Sequence, residues 1–196
     1  MKKIDYINEI NLNKLKADLS KSRYEHSINV MSSAIELAKF YGLDEDKAAI
    51  AGLFHDCAKY ESLDKARRML KKYKLEDNED LKNSKQLIHS YLGPFVAMDE
   101  YNITDNEILS AIKHHTTLNS QPTLLEKVIY MADVIEVGRY FEGIEEIRDL
   151  AFKDLDKAVL MSLEFTIVDL IRKRRYIVTD TLDARNHFLI GTTELR

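Results

Sequence analysis

The 196 residues carry a net charge of −4, with 45% hydrophobic and 32% charged side chains, the composition of a soluble chain large enough to bury a real core. No overall basic field recruits nucleic acid, no uncharged stretch approaches the roughly 18 residues of a membrane span, and the single cysteine, Cys57, excludes an internal disulfide. Two prolines and six glycines, against abundant Leu, Lys, Glu, Ala and Ile, predict an all-α fold in one domain.

The N-terminal stretch MKKIDYINEINLNKLK lacks the apolar segment of a signal peptide, so a reducing cytoplasm is the expected compartment. Helices are predicted at roughly 5–18, 22–41, 45–58, 63–73, 87–100, 105–115, 124–136, 144–152, 155–175 and 181–189. Ser22 with Glu25, Thr104 with Glu107 and Thr123 with Glu126 match the capping box; Asp44, Ser62 and Asp154 are simple caps, and Gly42 is a C-terminal stop. The segment 74–86 is polar and reads as a mobile connector. Pro94 starts or kinks a helix, and Pro122 precedes one.

Helix 22–41 has a polar stripe (Glu25, Asn29, Ser32, Glu36, Lys39) and an apolar one (Tyr24, Ile28, Met31, Ile35, Ala38). Val30 and Leu37 add apolar surface near His26, which should point inward. Helix 45–58 is apolar nearly all round, hence central, and ends in the adjacent pair His55 and Asp56. Helix 124–136 holds Asp133 inside an apolar run.

A buried carboxylate without a partner costs several kcal/mol, so these polar groups need compensation. Taken singly, His26 reads more readily as a hydrogen-bonded core histidine, and Asp133 as a cap or an arginine partner. Taken together, His26, His55, Asp56 and Asp133 form a mixed nitrogen and oxygen set suited to a divalent first-row transition metal between helices. No glycine-rich phosphate loop exists, so phosphate binding would rest on metals and cationic side chains. There is no Cys-x-x-Cys, and Cys57 reads as a small core residue. The run IRKRRY, Ile171 to Tyr176, reads as cations at a helix C-terminus rather than a nucleic-acid patch.

The order of these residues, with the blocks SRYEHSINVMSSAIELA, AGLFHDCAK, LIHSYLG, AIKHHTTLN, LLEKVIYMADVIEVGR and FEGIEEIRDLA, resembles the HD-domain superfamily of metal-dependent phosphohydrolases. Within it the blocks look like the bacterial branch that splits diadenosine tetraphosphate symmetrically. The likeness spans roughly residues 20–185 and implies a compact helical bundle with a metal site between its central helices.

It also implies roles. His26, His55, Asp56 and Asp133 would be the main metal ligands, for iron most often, with manganese, cobalt or zinc as substitutes and one or two ions in all. His89 would line the same site and hold a second metal or a phosphate. Of the neighbours His114 and His115, about 100° apart on a helix, His115 is the one expected to face the pocket, as ligand or proton donor, followed by Thr116 and Thr117. Arg23, Lys59 and Arg139 would lie on the phosphates. Glu136 would order the surroundings of the metal, or else be a solvated helix-end carboxylate. ADP or GDP would be product-like ligands, and a homodimer is expected by analogy. The family tends to have glycine after HTT and proline in IEPGR; here Leu118 and Val137 stand there, which bears on loop shape and nucleotide fit rather than on the metal. Two other functions fit a chain of this kind: a different HD phosphohydrolase, such as a nucleoside monophosphatase, and a non-catalytic nucleotide sensor.

Overall fold

The structure, a computed structural model, describes residues 6–60 and 62–192. The helices in chain order are α1 (Glu9–Asp18), α2 (Lys21–Tyr41), α3 (Glu45–Phe54), α4 (Leu63–Lys72), α5 (Glu79–Asn83), α6 (Ile88–Tyr101), α7 (Asn106–His114), α8 (Leu124–Ile135), α9 (Ile144–Ala151), α10 (Leu155–Arg172) and α11 (Thr179–Thr192). A 3-10 turn, Lys85–Leu87, leads into α6, and no strand occurs among the described residues. The first residue of the expected helix 5–18 lies outside the described residues.

The centre of the fold is α3. Every residue from Ala48 to Phe54 is buried, because α2, α7 and α8 surround the helix. Asp44 caps it by accepting from the Asp46 and Lys47 amides. Close approach of α2 and α3 depends on Gly52. A Cβ there would lie 3.0 Å from the Met31 Cα and 3.2 Å from the Val30 carbonyl oxygen, which is backbone against backbone. The helix stops at Phe54, four residues before the sequence pattern does, and His55 to Ala58 form a turn.

α2 buries Ser27, Val30, Ala34, Leu37 and Ala38, so its deepest face runs beside His26; Tyr24, Ile28, Met31 and Ile35 are only half-buried. Gly42 stops it in the left-handed conformation, at φ +69°. Two expected caps shift by one or two residues. Ser20, not Ser22, caps α2 through the Arg23 amide, and Asp105, not Thr104, caps α7. Thr123 and Glu126 form the full reciprocal box on α8. The polar segment 74–86 is not all connector: it carries α5 and the 3-10 turn, anchored by Leu81 and Leu87 against Val178. Pro94 lies inside α6. α10 ends at Arg172, three residues early, where the chain reverses with Arg174 at φ +52°.

Candidate metal centre

Five elements converge on one point: His26 from α2, the His55–Asp56 turn after α3, His89 from α6, His115 at the end of α7, and Asp133 of α8, which closes the ring. The His26 and His55 Nε2 atoms are 3.3 Å apart, and the His26 Nε2 lies 3.1 Å from an Asp133 oxygen. Asp56 is almost fully buried and reaches both ways. Its Oδ2 is 3.4 Å from the His55 Nε2, and its Oδ1 is 3.2 Å from His89 and 3.6 Å from His115. His89 and His115 approach each other at 3.1 Å through their Nε2 atoms. Two ligand triads, His26–His55–Asp56 and Asp56–His89–His115, therefore share one carboxylate.

The far side of each ring says what the near side must hold. The His55 Nδ1 donates to the Gly52 carbonyl and the His115 Nδ1 to the Ile112 carbonyl, both at 2.7 Å; the His26 Nδ1 donates to Glu136 at 3.1 Å. These bonds place the proton on Nδ1 and leave Nε2 bare, the tautomer that binds metal. Bare nitrogens and carboxylate oxygens at 3.1–3.6 Å repel unless a cation lies among them. The Asp56 Oδ1 is moreover buried with no hydrogen-bond partner. Six candidate ligands of mixed nitrogen and oxygen character thus fit a divalent transition metal, and the two triads that share Asp56, with Asp133 joining His55 and His115 in a third, leave room for two ions.

Cations surround the carboxylates. Arg23 donates to the Asp56 Oδ2 at 2.9 Å, the Lys59 Nζ lies 3.7 Å from its Oδ1, and Arg139 grips Asp133 through both its carboxylate and its carbonyl. Burial pushes the Asp56 carboxyl up, but the imidazoles of His55, His89 and His115 around it outweigh burial and hold it well below the usual range. Asp133 is likewise held down against burial by His26, His55 and Arg139. Burial lowers His89 well below the ordinary imidazole value and also lowers Lys59, with Asp56 opposing both shifts.

A family model described as HD domain matches residues 23–138, a span that contains all six candidate ligands. The chain belongs to the HD domain family. Similar proteins include the symmetrical bis(5'-nucleosyl)-tetraphosphatases of Halalkalibacterium halodurans (40% identical, covering 90% of this chain and 94% of that one) and Bacillus subtilis (38%, covering 91% and 95%). A solved structure, described as a predicted HD superfamily hydrolase involved in NAD metabolism from Clostridium acetobutylicum, superposes with a TM-score of 0.87. It is 39% identical, covering 92% of this chain and 96% of that chain.

The HD domain thus brings together His26, His55, Asp56, His89, His115 and Asp133, with Arg23, Lys59 and Arg139 around them. The Thr116 hydroxyl lies 3.4 Å from the His89 Nε2, whereas the buried Thr117 donates to the Leu118 carbonyl and turns away. Leu118 is fully buried at φ +57°, so this leucine adopts the conformation that the family's glycine would take freely, and fills the core in return. Val137 is two-thirds exposed.

Glu136 is buried rather than solvated. It accepts from His26, from Asn29 at 3.1 Å and from the Gly138 amide, and these donors hold its carboxyl down against burial. Two supporting residues escaped the sequence reading. Asn29 reads, from the sequence, as one of the polar stripe of α2. Arg148 of α9 donates to the carbonyls of Ile135, Glu136 and Arg139, tying the turn after α8 to α9. Their partners are far away in sequence, and no local pattern announces them.

His114 points away from the centre, to Glu126, at 2.7 Å. Ser110, Asn119 and the Thr123 amide also donate to this buried carboxylate, which ties the start of α8 to the segment carrying His115 and Thr116. Burial pushes the Glu126 carboxyl up, but donation from His114, Ser110 and Thr123 outweighs it and brings it from 4.5 down to about 2. A lowered carboxyl stabilises the fold above its unfolded value and loses that contribution as pH falls through its folded one. Glu126→Gln should therefore cost about 3 kcal/mol near pH 6, and the deficit against the parent should shrink between pH 4.5 and 2, read by urea unfolding at stepped pH.

Proposed function

We propose that the chain hydrolyses diadenosine tetraphosphate symmetrically, yielding two ADP, as one HD phosphohydrolase domain over residues 1–196 with its core at about 20–185. The observation that carries this reading is the Asp56 carboxylate shared between two histidine-bearing triads at the end of a cleft of about 1040 Å³. The naming of relatives at 37–40% identity over some nine-tenths of the chain supports the choice of substrate. Iron, in one or two ions, is the proposed metal, and a cytoplasmic homodimer the proposed working form. Both follow from the family resemblance, and the lone buried Cys57 suits the compartment.

His26, His55, Asp56, Asp133, His89 and His115 would hold the metal, which when bound would supply an acidified water and charge neutralisation for an in-line displacement at phosphorus. The chain supplies the rest. Arg23, Lys59 and Arg139 take the non-bridging phosphoryl oxygens, Arg23 and Arg139 by the bidentate geometry that guanidinium allows. Their present carboxylate bonds hold them at the mouth of the site in the orientation phosphate would exploit. Attack at the phosphorus next to the central bridging oxygen breaks that one bond, and each half leaves as ADP. His115, whose Nδ1 proton is committed to the Ile112 carbonyl, acts through Nε2 as a ligand rather than as a proton donor. The departing phosphate oxygen leaves as an anion neutralised by Arg23, Lys59 and Arg139, and Thr116 lies 3.4 Å from the His89 Nε2. Glu136 fixes the ring of His26.

Product analysis tests this. Iron-loaded protein incubated with diadenosine tetraphosphate should release ADP alone. ATP plus AMP would mean asymmetric cleavage. Bound nucleotide without turnover would mean a sensor, and release of phosphate from nucleoside monophosphates in preference would mean a monophosphatase.

A further inference from the structure

The cleft that opens off the metal centre changes character along its length. At its inner end it presents His115, Asp133 and Arg139, all charged or ligating groups. Its outer wall presents Phe141 and Phe165, with Met161 and Val168 beside them. These two phenylalanines are 42% and 43% exposed, a large apolar surface for water to meet. They form a tilted pair with centroids 6.4 Å apart. The pair is held from behind: at Gly143, φ +89°, an added Cβ would lie 3.1 Å from the tip of the Phe165 ring, so the ring rests on bare backbone. Only Tyr140 separates Phe141 from Arg139, which is bonded to Asp133.

We infer that Phe141 and Phe165 form a nucleobase-stacking wall that binds one nucleoside of a nucleoside polyphosphate whose phosphates lie at Arg139 and the metal centre. This rests on the hydrolase reading above for the placement of the phosphates. The occupant is set by complementarity: a flat aromatic ring for the apolar wall, joined to an anion for the cationic inner end. An exposed aromatic wall beside a phosphate site serves a base, which every nucleotide offers, and not the polyphosphate chain itself.

The test compares ligands with and without a base. Affinities of ADP and of inorganic tripolyphosphate are measured by calorimetry on the metal-loaded protein and on Phe165→Leu, Phe141→Leu and Phe165→Trp. Leucine keeps the half-exposed apolar contact and removes the ring, so folding is retained and can be checked by circular dichroism. Each leucine variant should bind ADP about five- to fiftyfold more weakly while tripolyphosphate affinity stays within about twofold, and Phe165→Trp should bind ADP at least as well as the parent. Equal loss for both ligands, or no change for ADP, overturns the inference. If the parent binds ADP in this way but fails to split diadenosine tetraphosphate, the hydrolase reading falls and the stacking wall stands.

Discussion

Asp56→Asn should abolish turnover, lowering kcat by at least about a thousandfold, because a single carboxylate serves both triads. The change is nearly isosteric, so the loss is not one of packing. Arg23 and Lys59 keep their places at a half-exposed surface, whereas the two triads lose the negative charge and one of the two oxygens of the carboxylate they share. A second readout separates metal loss from a purely chemical defect. The parent should gain stability on adding metal, about 2.7 kcal/mol at a hundredfold excess over Kd, since the folded state alone presents the six ligands. The asparagine variant should gain little and should retain far less metal after dialysis, by elemental analysis. A variant that holds full metal and still turns over would show that Asp56 is not the bridge.

Gly52→Val should destabilise the fold by about 3 kcal/mol and impair the site as well. The added carbons would meet the backbone of α2 at Met31 and Val30, which cannot rotate away as a side chain can. The helices must then separate, and they carry His26 and His55, whose Nε2 atoms need to remain at 3.3 Å. Valine also disfavours the helix interior slightly. For a chain of this size the loss corresponds to a fall of about 6–12 °C in Tm. Metal affinity should fall together with Tm, measured by thermal shift with and without metal. Gly52→Ala, which adds the Cβ alone at the same two contacts, should fall between the parent and the valine variant.

Much of this architecture is readable from local pattern. The uncharged run Ala48 to Phe54 announces a central helix, and the polar residues that interrupt apolar faces at His26, His55, Asp56 and Asp133 are the ones that converge. Such interruptions are legible because burying them without compensation is costly. The exact caps are less so. Ser20 and Ser22 both offer a hydroxyl, their oxygens lie 3.3 Å apart, and helical pattern alone does not rank them. The stop of α3 at Phe54 is set by the packing of the turn that carries His55, a tertiary demand that overrides a continuing helical pattern. Asn29 and Arg148 are tertiary in the same sense: each is an ordinary surface residue of an amphipathic helix until Glu136 and the carbonyls after α8 arrive beside it.

The grip of Arg148 on three carbonyls bears on what holds the edge of the site in place. A proline at position 137, as the resembled family tends to have, would bias that turn even in the unfolded chain by removing conformations there, an effect of about 0.4–1 kcal/mol. Val137 gives no such bias, and beside the turn's own bonds from the Gly138 and Arg139 amides to Glu136 the turn is held by hydrogen bonds from a helix that follows it in the chain. Arg139 and Phe141 ride on this turn, so α9, which contributes no candidate ligand, is a brace for the phosphate-gripping edge of the centre.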